Sequence, residues 1–243
     1  GIEVRYCLIV AAPEIMAFAG KAAKLPEGHP ARAEGFAYIS ASHNPPGHNG
    51  VKFGLGSGGV LSAQEIAPLI AQLKTSIASE DSVSRALALL SAADKEVLAL
   101  CYERCAEWKR HSLSAYILFS HAVITGKEAL NEQAAVLDEL AEACRHKPLG
   151  IVAELNGSAR SLSIDRDFFQ GISIRSEFHN DGPRQFTHRI VPEGLSLESC
   201  MELLQKAHKK DPSFQLGYVP DCDGDRATLV FYDKTLGRAR PLE

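Results

Sequence analysis

The chain has 243 residues, of which 45% are hydrophobic and 23% charged, and its formal net charge is −4. This is the composition of a globular protein, and the acidic balance argues against a nucleic-acid partner. No run approaches the ~18 apolar residues of a membrane helix, so we expect no membrane partner. The six cysteines show no disulfide or zinc spacing, which predicts reduced thiols in a cytoplasmic protein.

The first part of the chain predicts a strand–helix–strand unit. Short buried strands are expected at 2–10 and 36–41, an Ala-rich helix at 14–24, and a further strand at 51–54. Glu65 follows Ser62 at the spacing of a capping box, which predicts that the next helix begins there.

Residues 80–147 have a different pattern, rich in Ala, Leu, Glu and Lys with apolar residues three and four apart, which predicts helices. Periodicity does not assign the apolar run at 115–124. Cys101 and Cys105 lie one helical turn apart, and core packing explains them better than a metal site without further ligands. We expect this block to be a packed insertion. The alternative is a partner-binding surface, which would show an exposed apolar stripe.

Strands and helices alternate again after Pro148. Strands are predicted at "LGIVAEL", "GISIRSEF", "FQLGYV" and "ATLVFYD", and helices at 158–170 and in "SLESCMELLQKAHKK". Ser199 and Glu202 repeat the capping-box spacing at the start of the last helix. This order predicts an α/β fold with mixed, largely parallel sheets and helices on both faces. We divide the chain into an α/β unit at 1–79, a helical insertion at 80–147 and a second α/β unit at 148–243.

The loop "PDCDGDR" follows the third of these strands and suggests a metal site. Asp221, Asp223 and Asp225 alternate, so their side chains can converge, and Gly224 gives the backbone freedom to turn. Three clustered carboxylates need a cation, and an all-oxygen set suits magnesium, which often completes its shell with a phosphate oxygen. The guanidinium of Arg226 can take a phosphate through two parallel hydrogen bonds. The alternative is a solvated acidic turn.

The loop "SASHNPPGHNGVKF" raises the question of whether Ser42 is a nucleophile. No G-x-S-x-G elbow is present, so a serine hydrolase is not indicated. The hydroxyl could carry a phosphoryl group, which needs a metal and cationic donors, and Lys52 is near enough in sequence to reach back. An ordinary Ser/Asn/Pro/Gly turn is the alternative for this loop alone. Together the two loops are complementary, since one offers a phosphate carrier and the other a metal lacking one oxygen ligand.

The two loops resemble the active-site serine loop and the magnesium loop of the α-D-phosphohexomutases, the superfamily of phosphoglucomutase and phosphomannomutase. They occur in the family's order, and "GIEVRYCLIVAAPEIM", "GGVLSAQEI", "GIVAELNGSARS" and "HNDGPRQFTHRIVPEG" also resemble family segments. The resemblance covers most of residues 1–79 and 148–233. It implies two phosphohexomutase-type units, namely the later part of domain 1 with the phosphoserine loop and domain 2 ending in the magnesium loop and the strand after it.

The resemblance also implies roles for residues. Ser42 would be the phosphoserine and, through its phosphate, a magnesium ligand together with Asp221, Asp223 and Asp225. Arg226 would steady the phosphoryl group, with Asn44 as a second substrate or phosphate contact. Lys52 would be a general base or charge stabiliser and His43 a neighbouring polar contact. The implied reaction interconverts hexose 1- and 6-phosphates through a hexose 1,6-bisphosphate, which is also an activator.

The chain also departs from the family. Counterparts of the N-terminal part of domain 1 and of domains 3 and 4 are missing, and the 80–147 block is longer than the usual connection. Cys222 stands where the family more often has proline or another small residue. We therefore expect little mutase activity from this chain alone, and we expect hexose phosphates and the missing domains as partners. The sequence does not indicate which hexose is preferred, because the selecting loop belongs to domain 3.

Two rival functions remain open. A strand followed by D-x-D-G also opens the haloacid-dehalogenase-like phosphatases, in which Asp221 would be the nucleophile, although their other motifs do not follow. A truncated, non-catalytic relative that binds a partner through the 80–147 block is the second rival. Phosphate found on Ser42 rather than on Asp221 would separate the mutase from the phosphatase.

Overall fold

The computed structural model describes residues 2–44 and 47–242, within which eight α-helices and seven strands form an α/β fold. The helices are α1 Ala12–Ala22, α2 Ala63–Ala78, α3 Ser82–Ser91, α4 Lys95–Glu103, α5 Cys105–Thr125, α6 Leu130–His146, α7 Asp165–Gly171 and α8 Glu198–Lys210. The strands are β1 Gly35–Ile39, β2 Val51–Leu55, β3 Gly150–Glu154, β4 Arg175–His179, β5 Phe214–Pro220, β6 Ala227–Asp233 and β7 Arg238–Pro241. Short 3₁₀ turns occupy Ala159–Leu162 and Gly194–Leu197.

The first unit is built on an antiparallel pair, not on parallel strands. β1 pairs with β2 so that Tyr38 lies opposite Lys52, and α1 packs against β1 and α5. The prediction of a buried strand at 2–10 is wrong. These residues make no described β-ladder, Ile2 is 93% exposed, and Leu8 has a φ of 60° that interrupts an extended backbone. A strand requires a neighbour to accept its hydrogen bonds, which an apolar pattern alone does not provide.

The second unit is a five-stranded mixed sheet in the order β4-β3-β5-β6-β7. β4, β3 and β5 are parallel, whereas β6 and β7 are antiparallel to their neighbours, so the expectation of a mixed sheet is confirmed, but only two of its four strand pairs are parallel. The physical reason is connection length, since short loops join β5 to β6 and β6 to β7 and a parallel crossover needs a dozen residues or more. Strand β7 was not predicted.

Helices cover both faces of this sheet. α8 packs on one face over a core containing Val152, Leu204 and Val230. On the other face Ile151, Ala153 and Tyr218 pack against Phe169 of α7. The expected capping box at α8 does not form, because the N-cap is Leu197 and the helix already includes Glu198.

The helices between residues 63 and 146 divide into two groups. α5 and α6 bury side chains, among them Trp108, Ala115 and Ala141, and α5 packs directly on α1. α2, α3 and α4 bury none of their residues, and α3 and α4 expose leucines such as Leu89 and Leu98. The expectation of a packed insertion therefore holds for α5 and α6 and is wrong for α3 and α4. The capping box of Ser62 and Glu65 forms at the start of α2, as predicted.

None of the described helices is both long enough and apolar enough to cross a membrane.

Candidate active site

The aspartate loop is the hairpin connection between β5 and β6. It begins after Pro220 and ends before Ala227, and Gly224 turns it with a φ of 70°. Asp221 and Asp223 are fully buried, whereas Asp225 is partly exposed. One carboxylate oxygen from each of the three aspartates lies within 4.8 Å of the others, as the alternating spacing predicts.

The pKa values of the two buried carboxylates shift in opposite directions. Burial, and then the charge of Asp223, raises the pKa of Asp221. Burial by itself would also raise the pKa of Asp223, but hydrogen bonding to Lys52, the Lys52 charge and the Ser40 hydroxyl lower it. Two such carboxylates ionise together easily only when positive charge lies close to them.

The serine loop leaves β1 and brings Ser42 directly over the aspartates. The Ser42 hydroxyl donates to Asp221 Oδ2 at 3.3 Å, and the Ser40 hydroxyl donates to Asp223 Oδ2 at 3.0 Å. Ser42 has a φ of 52°, a left-handed conformation that is strained for serine, and its N–H donates to Ser40 Oγ at 2.9 Å. Strained backbone held by specific hydrogen bonds is a common property of functional sites.

Arg226 joins the two loops. Its Nε donates to Asp221 Oδ2 at 3.1 Å, while its Nη2 lies 3.3 Å from Ser42 Oγ and 2.6 Å from His43 Nδ1. Because a guanidinium only donates, His43 Nδ1 must accept, which places the proton of a neutral His43 on Nε2. His43 Nδ1 is thus occupied in this arrangement and does not act as a base toward the Ser42 hydroxyl, which lies 3.4 Å away.

Lys52 reaches the site from β2, which pairs with the strand that precedes Ser42. Its Nζ lies 2.7 Å from Asp223 Oδ2 and 3.5 Å from Asp225 Oδ2. Burial by itself would lower the pKa of Lys52, but the hydrogen bond and charge of Asp223 outweigh it and raise the pKa. Lys52 is therefore a charged ammonium at neutral pH, and it partly supplies the positive charge that the aspartates demand.

The carboxylates also fit a bound cation. Asp223 Oδ1 is buried and has no hydrogen-bond partner among the described residues, although it belongs to a fully buried charged side chain. A buried acceptor of this kind needs a partner. Three carboxylates of different loop positions form the hard oxygen donor set that divalent magnesium prefers. The three aspartates can therefore hold such an ion, with Asp223 Oδ1 as one ligand atom.

A cavity of about 580 Å³ opens beside Ser42, which is a suitable size for a small ligand. Residues 4–10, the end of β1, the serine loop and the 183–190 loop line it. Asn44 belongs to this lining and does not join the cluster of described charged side chains; its N–H donates to Ala41 O at 3.1 Å and closes the turn. Pro45 and Pro46, which are part of the predicted turn, lie outside the described residues.

Sequence reasoning missed Ser40. The spacing of Ser40 and Ser42 in "ISASHN" was the available signal, since alternate residues of an extended strand end point the same way. Apart from Asn44, every predicted site residue lies in this one cluster.

Comparison with known proteins gives one family match. Residues 1–80 match the family described as phosphoglucomutase/phosphomannomutase, alpha/beta/alpha domain I. A search of curated protein sequences finds no match.

Solved structures also resemble the chain, among them the following three. A protein assigned as a phosphomannomutase from Thermus thermophilus is 17% identical with a TM-score of 0.50, over 93% of this chain and 42% of that one. A phosphoglucomutase/phosphomannomutase family protein from Burkholderia thailandensis is 15% identical with a TM-score of 0.48, over 95% and 40%. N-acetylphosphoglucosamine mutase from Aspergillus fumigatus is 15% identical with a TM-score of 0.41, over 100% and 52%. The first similarity shows a shared fold, and the chain spans about half or less of each of these proteins.

Proposed function

We propose that the chain, whose residues 1–80 match the phosphoglucomutase/phosphomannomutase domain I family, carries the phosphoserine and metal-binding half of a magnesium-dependent phosphohexomutase site. Residues 1–79 would be the later part of domain 1, residues 148–243 domain 2, and residues 80–147 an insertion. The substrates would be hexose 1- and 6-phosphates, interconverted through a hexose 1,6-bisphosphate. Domains 3 and 4 would supply the contacts that hold the sugar.

One observation carries the proposal. The Ser42 hydroxyl lies 3.3 Å from Asp221 Oδ2 and 3.3 Å from Arg226 Nη2, although these residues are separated by about 180 positions in the chain. A hydroxyl between a carboxylate cluster and a guanidinium is suited to carrying a phosphoryl group, because such a group brings negative oxygens that both the guanidinium and a cation can bind. An acidic turn exposed to solvent would not bury Asp221 and Asp223.

In this proposal each side chain has a charge-related role. Asp221, Asp223 and Asp225 would hold magnesium, which when bound supplies positive charge to phosphoryl oxygens. Arg226 would hold further phosphoryl oxygens beside Ser42. Lys52, whose pKa is raised, would act as a charge stabiliser rather than as a base. His43 would orient Arg226 through its Nδ1.

The transfer step balances without an added reagent. The bond between Ser42 Oγ and phosphorus breaks, and a bond forms between phosphorus and a hydroxyl oxygen of the sugar phosphate. The proton lost by the sugar hydroxyl is matched by the proton that Ser42 Oγ regains. The reverse step, with the other phosphoryl group of the bisphosphate, restores phosphorylated Ser42.

The test is phosphorylation of the chain by a hexose 1,6-bisphosphate with magnesium. We expect about one phosphate per chain, located on Ser42 by mass spectrometry, as for a covalent phosphoryl carrier. Ser42→Gly should abolish labelling, and glycine suits this position because its φ is positive. Ser57→Ala, which removes the hydroxyl of a serine in the turn that follows β2, should label like the wild type.

Other outcomes would favour the rivals. A hydroxylamine-labile acyl phosphate on Asp221 would indicate the phosphatase mechanism instead. A chain that takes no phosphate and binds no divalent cation would indicate a non-catalytic binding module, and the exposed leucines of α3 and α4 are the observation that favours this second candidate.

A further inference from the structure

One face of α5 carries polar side chains that contact Glu14 of α1 and Arg160. Lys109, Ser112 and Tyr116 are spaced three and four residues apart, so they lie on one side of the helix. Ser112 and Tyr116 are buried, and the Lys109 side chain is 12% exposed. An insertion that only packs against its neighbours would place apolar residues here, so these polar side chains need a specific explanation.

Two of them hold the start of α1 through Glu14. Lys109 Nζ lies 2.8 and 2.9 Å from the two carboxylate oxygens of Glu14, and the Ser112 hydroxyl donates to one of them at 2.6 Å. Glu14 is fully buried and its carboxylate accepts from Ala11 N–H at the beginning of α1. The next amide, Ala12 N–H, donates to the carbonyl oxygen of Asp223 at 2.8 Å. α5 is thus linked through α1 to the backbone of the aspartate loop.

The third side chain reaches the same loop by another route. Tyr116 Oη accepts from Arg160 Nη1 at 2.6 Å, and Asp165 Oδ1 accepts from Arg160 Nη2 at 2.6 Å and from Arg160 Nε at 3.1 Å. The aliphatic part of Arg160 lies directly under Gly224, where an added Cβ would be 2.6 Å from Arg160 Cδ. Ala159 N–H donates to Cys222 O at 2.9 Å. The loop is therefore supported beneath Gly224 as well as at Asp223.

We propose that α5 is the element that positions the aspartate loop. Tyr116 and Arg160 are positioning residues that hold the turn at Gly224. Lys109 and Ser112 are positioning residues that hold α1 against Asp223. Three carboxylates that repel one another keep a convergent geometry only if the backbone around them is fixed. The role of these contacts in catalysis rests on the proposed function, whereas their role in holding the aspartate loop does not. The proposal also gives part of the 80–147 block a role in positioning the site.

Hydrogen exchange of the chain without added metal tests the support directly. In Tyr116→Phe, Arg160 loses an acceptor, and in Arg160→Lys the fork that binds Asp165 and Tyr116 together is lost. We expect peptides covering residues 221–226, and the amide of Ala12, to exchange about tenfold faster, as for the loss of one hydrogen bond to a charged group. Peptides of α8 and β3 should be unchanged.

Matched controls separate this from a general effect of substitution. Tyr102→Phe changes an exposed tyrosine of α4, and Arg166→Lys changes an exposed arginine that pairs with Asp181. Both should leave exchange at 221–226 at the wild-type rate. Unchanged exchange at 221–226 in Tyr116→Phe and Arg160→Lys, or equal acceleration over the whole chain, would overturn the proposal.

Manganese binding, followed by electron paramagnetic resonance, gives a second readout. We expect Tyr116→Phe and Arg160→Lys to bind Mn²⁺ several-fold more weakly and the two controls to bind it as the wild type does. If the wild type binds no Mn²⁺, the proposed function fails, but the hydrogen-exchange result still decides whether α5 holds the aspartate loop. If the wild type binds Mn²⁺ and all variants bind it equally, the positioning role is overturned and the proposed function stands.

Discussion

A single methyl group added at Gly224 tests how tightly Arg160 packs against the aspartate loop. In Gly224→Ala the new Cβ would lie 2.6 Å from Arg160 Cδ and 2.7 Å from Arg160 Cγ, which is too close for carbon atoms that are not bonded to each other. Arg160 cannot easily move away, because its guanidinium is held by Asp165 and Tyr116. The loop or the arginine must therefore shift.

The expected loss of stability has two parts. An alanine at a φ of 70° costs about 1–2 kcal/mol, because left-handed backbone is disfavoured for residues with a Cβ. Overpacking against Arg160 adds about 1–3 kcal/mol. Gly237→Ala isolates the first part, since Gly237 has a φ of 64° and an added Cβ there meets nothing within 4 Å. The change in the unfolded chain is the same in both variants and cancels.

Urea denaturation of the two variants gives the comparison. We expect Gly224→Ala to be less stable than Gly237→Ala by about 1–3 kcal/mol and to bind Mn²⁺ more weakly, whereas Gly237→Ala should bind it as the wild type does. In an Arg160→Ala background the additional cost of Gly224→Ala should shrink, because the clashing atoms are gone. Equal stability of the two single variants would refute the argument that Arg160 supports the Gly224 turn.

Three further predictions concern charge. Lys52→Met should destabilise the metal-free chain by up to about 3 kcal/mol, because Asp223 is left buried without a positively charged partner, and magnesium should raise its melting temperature more than that of the wild type. Mn²⁺ affinity should begin to fall at a pH above the 3.8 of an ordinary aspartate, because the pKa of Asp221 is raised and its protonation competes with the ion; a fall only near the ordinary value would contradict this. Burial by itself would lower the pKa of His188, but its hydrogen bond to Glu154 at 2.5 Å raises it. The His188–Glu154 pair should stabilise the fold fully below the ordinary pKa of 6.5 and lose its contribution as the pH rises through the raised pKa. Urea denaturation at several pH values should therefore show that the free energy of unfolding falls with pH in the wild type, and that this fall is missing in His188→Gln.

The features that the sequence predicts well are local. The capping box of Ser62, the bounds of β6 and the convergence of Asp221, Asp223 and Asp225 all depend on residues a few positions apart. The pairing of Ser42 with the distant aspartates was predicted from the complementary chemistry of the two loops and from the resemblance to a family. Periodicity and spacing contain no information about which distant loop faces which.

The features that the sequence does not predict depend on tertiary partners. Residues 2–10 have the pattern of a strand, but no described strand pairs with them. Lys109, Ser112 and Tyr116 look like ordinary surface positions of an Ala-rich helical block, and their burial follows from where α5 packs. Arg160 stands in a loop whose sequence gives no sign that its side chain would be enclosed by an aspartate and a tyrosine.

The position of α5 also explains how a site split between two sheets can keep one geometry. β1 and β2 carry Ser42 and Lys52, whereas β5 and β6 carry the aspartates and Arg226, and the two sheets share no strand. Direct bonds between the loops, such as that of Lys52 to Asp223, are themselves part of the charge balance and would change when a cation or phosphate binds. The position of the two loops relative to each other must then be fixed by contacts that do not take part in that balance. α5 provides such contacts by binding Glu14 of α1 and Arg160, which packs under the aspartate loop.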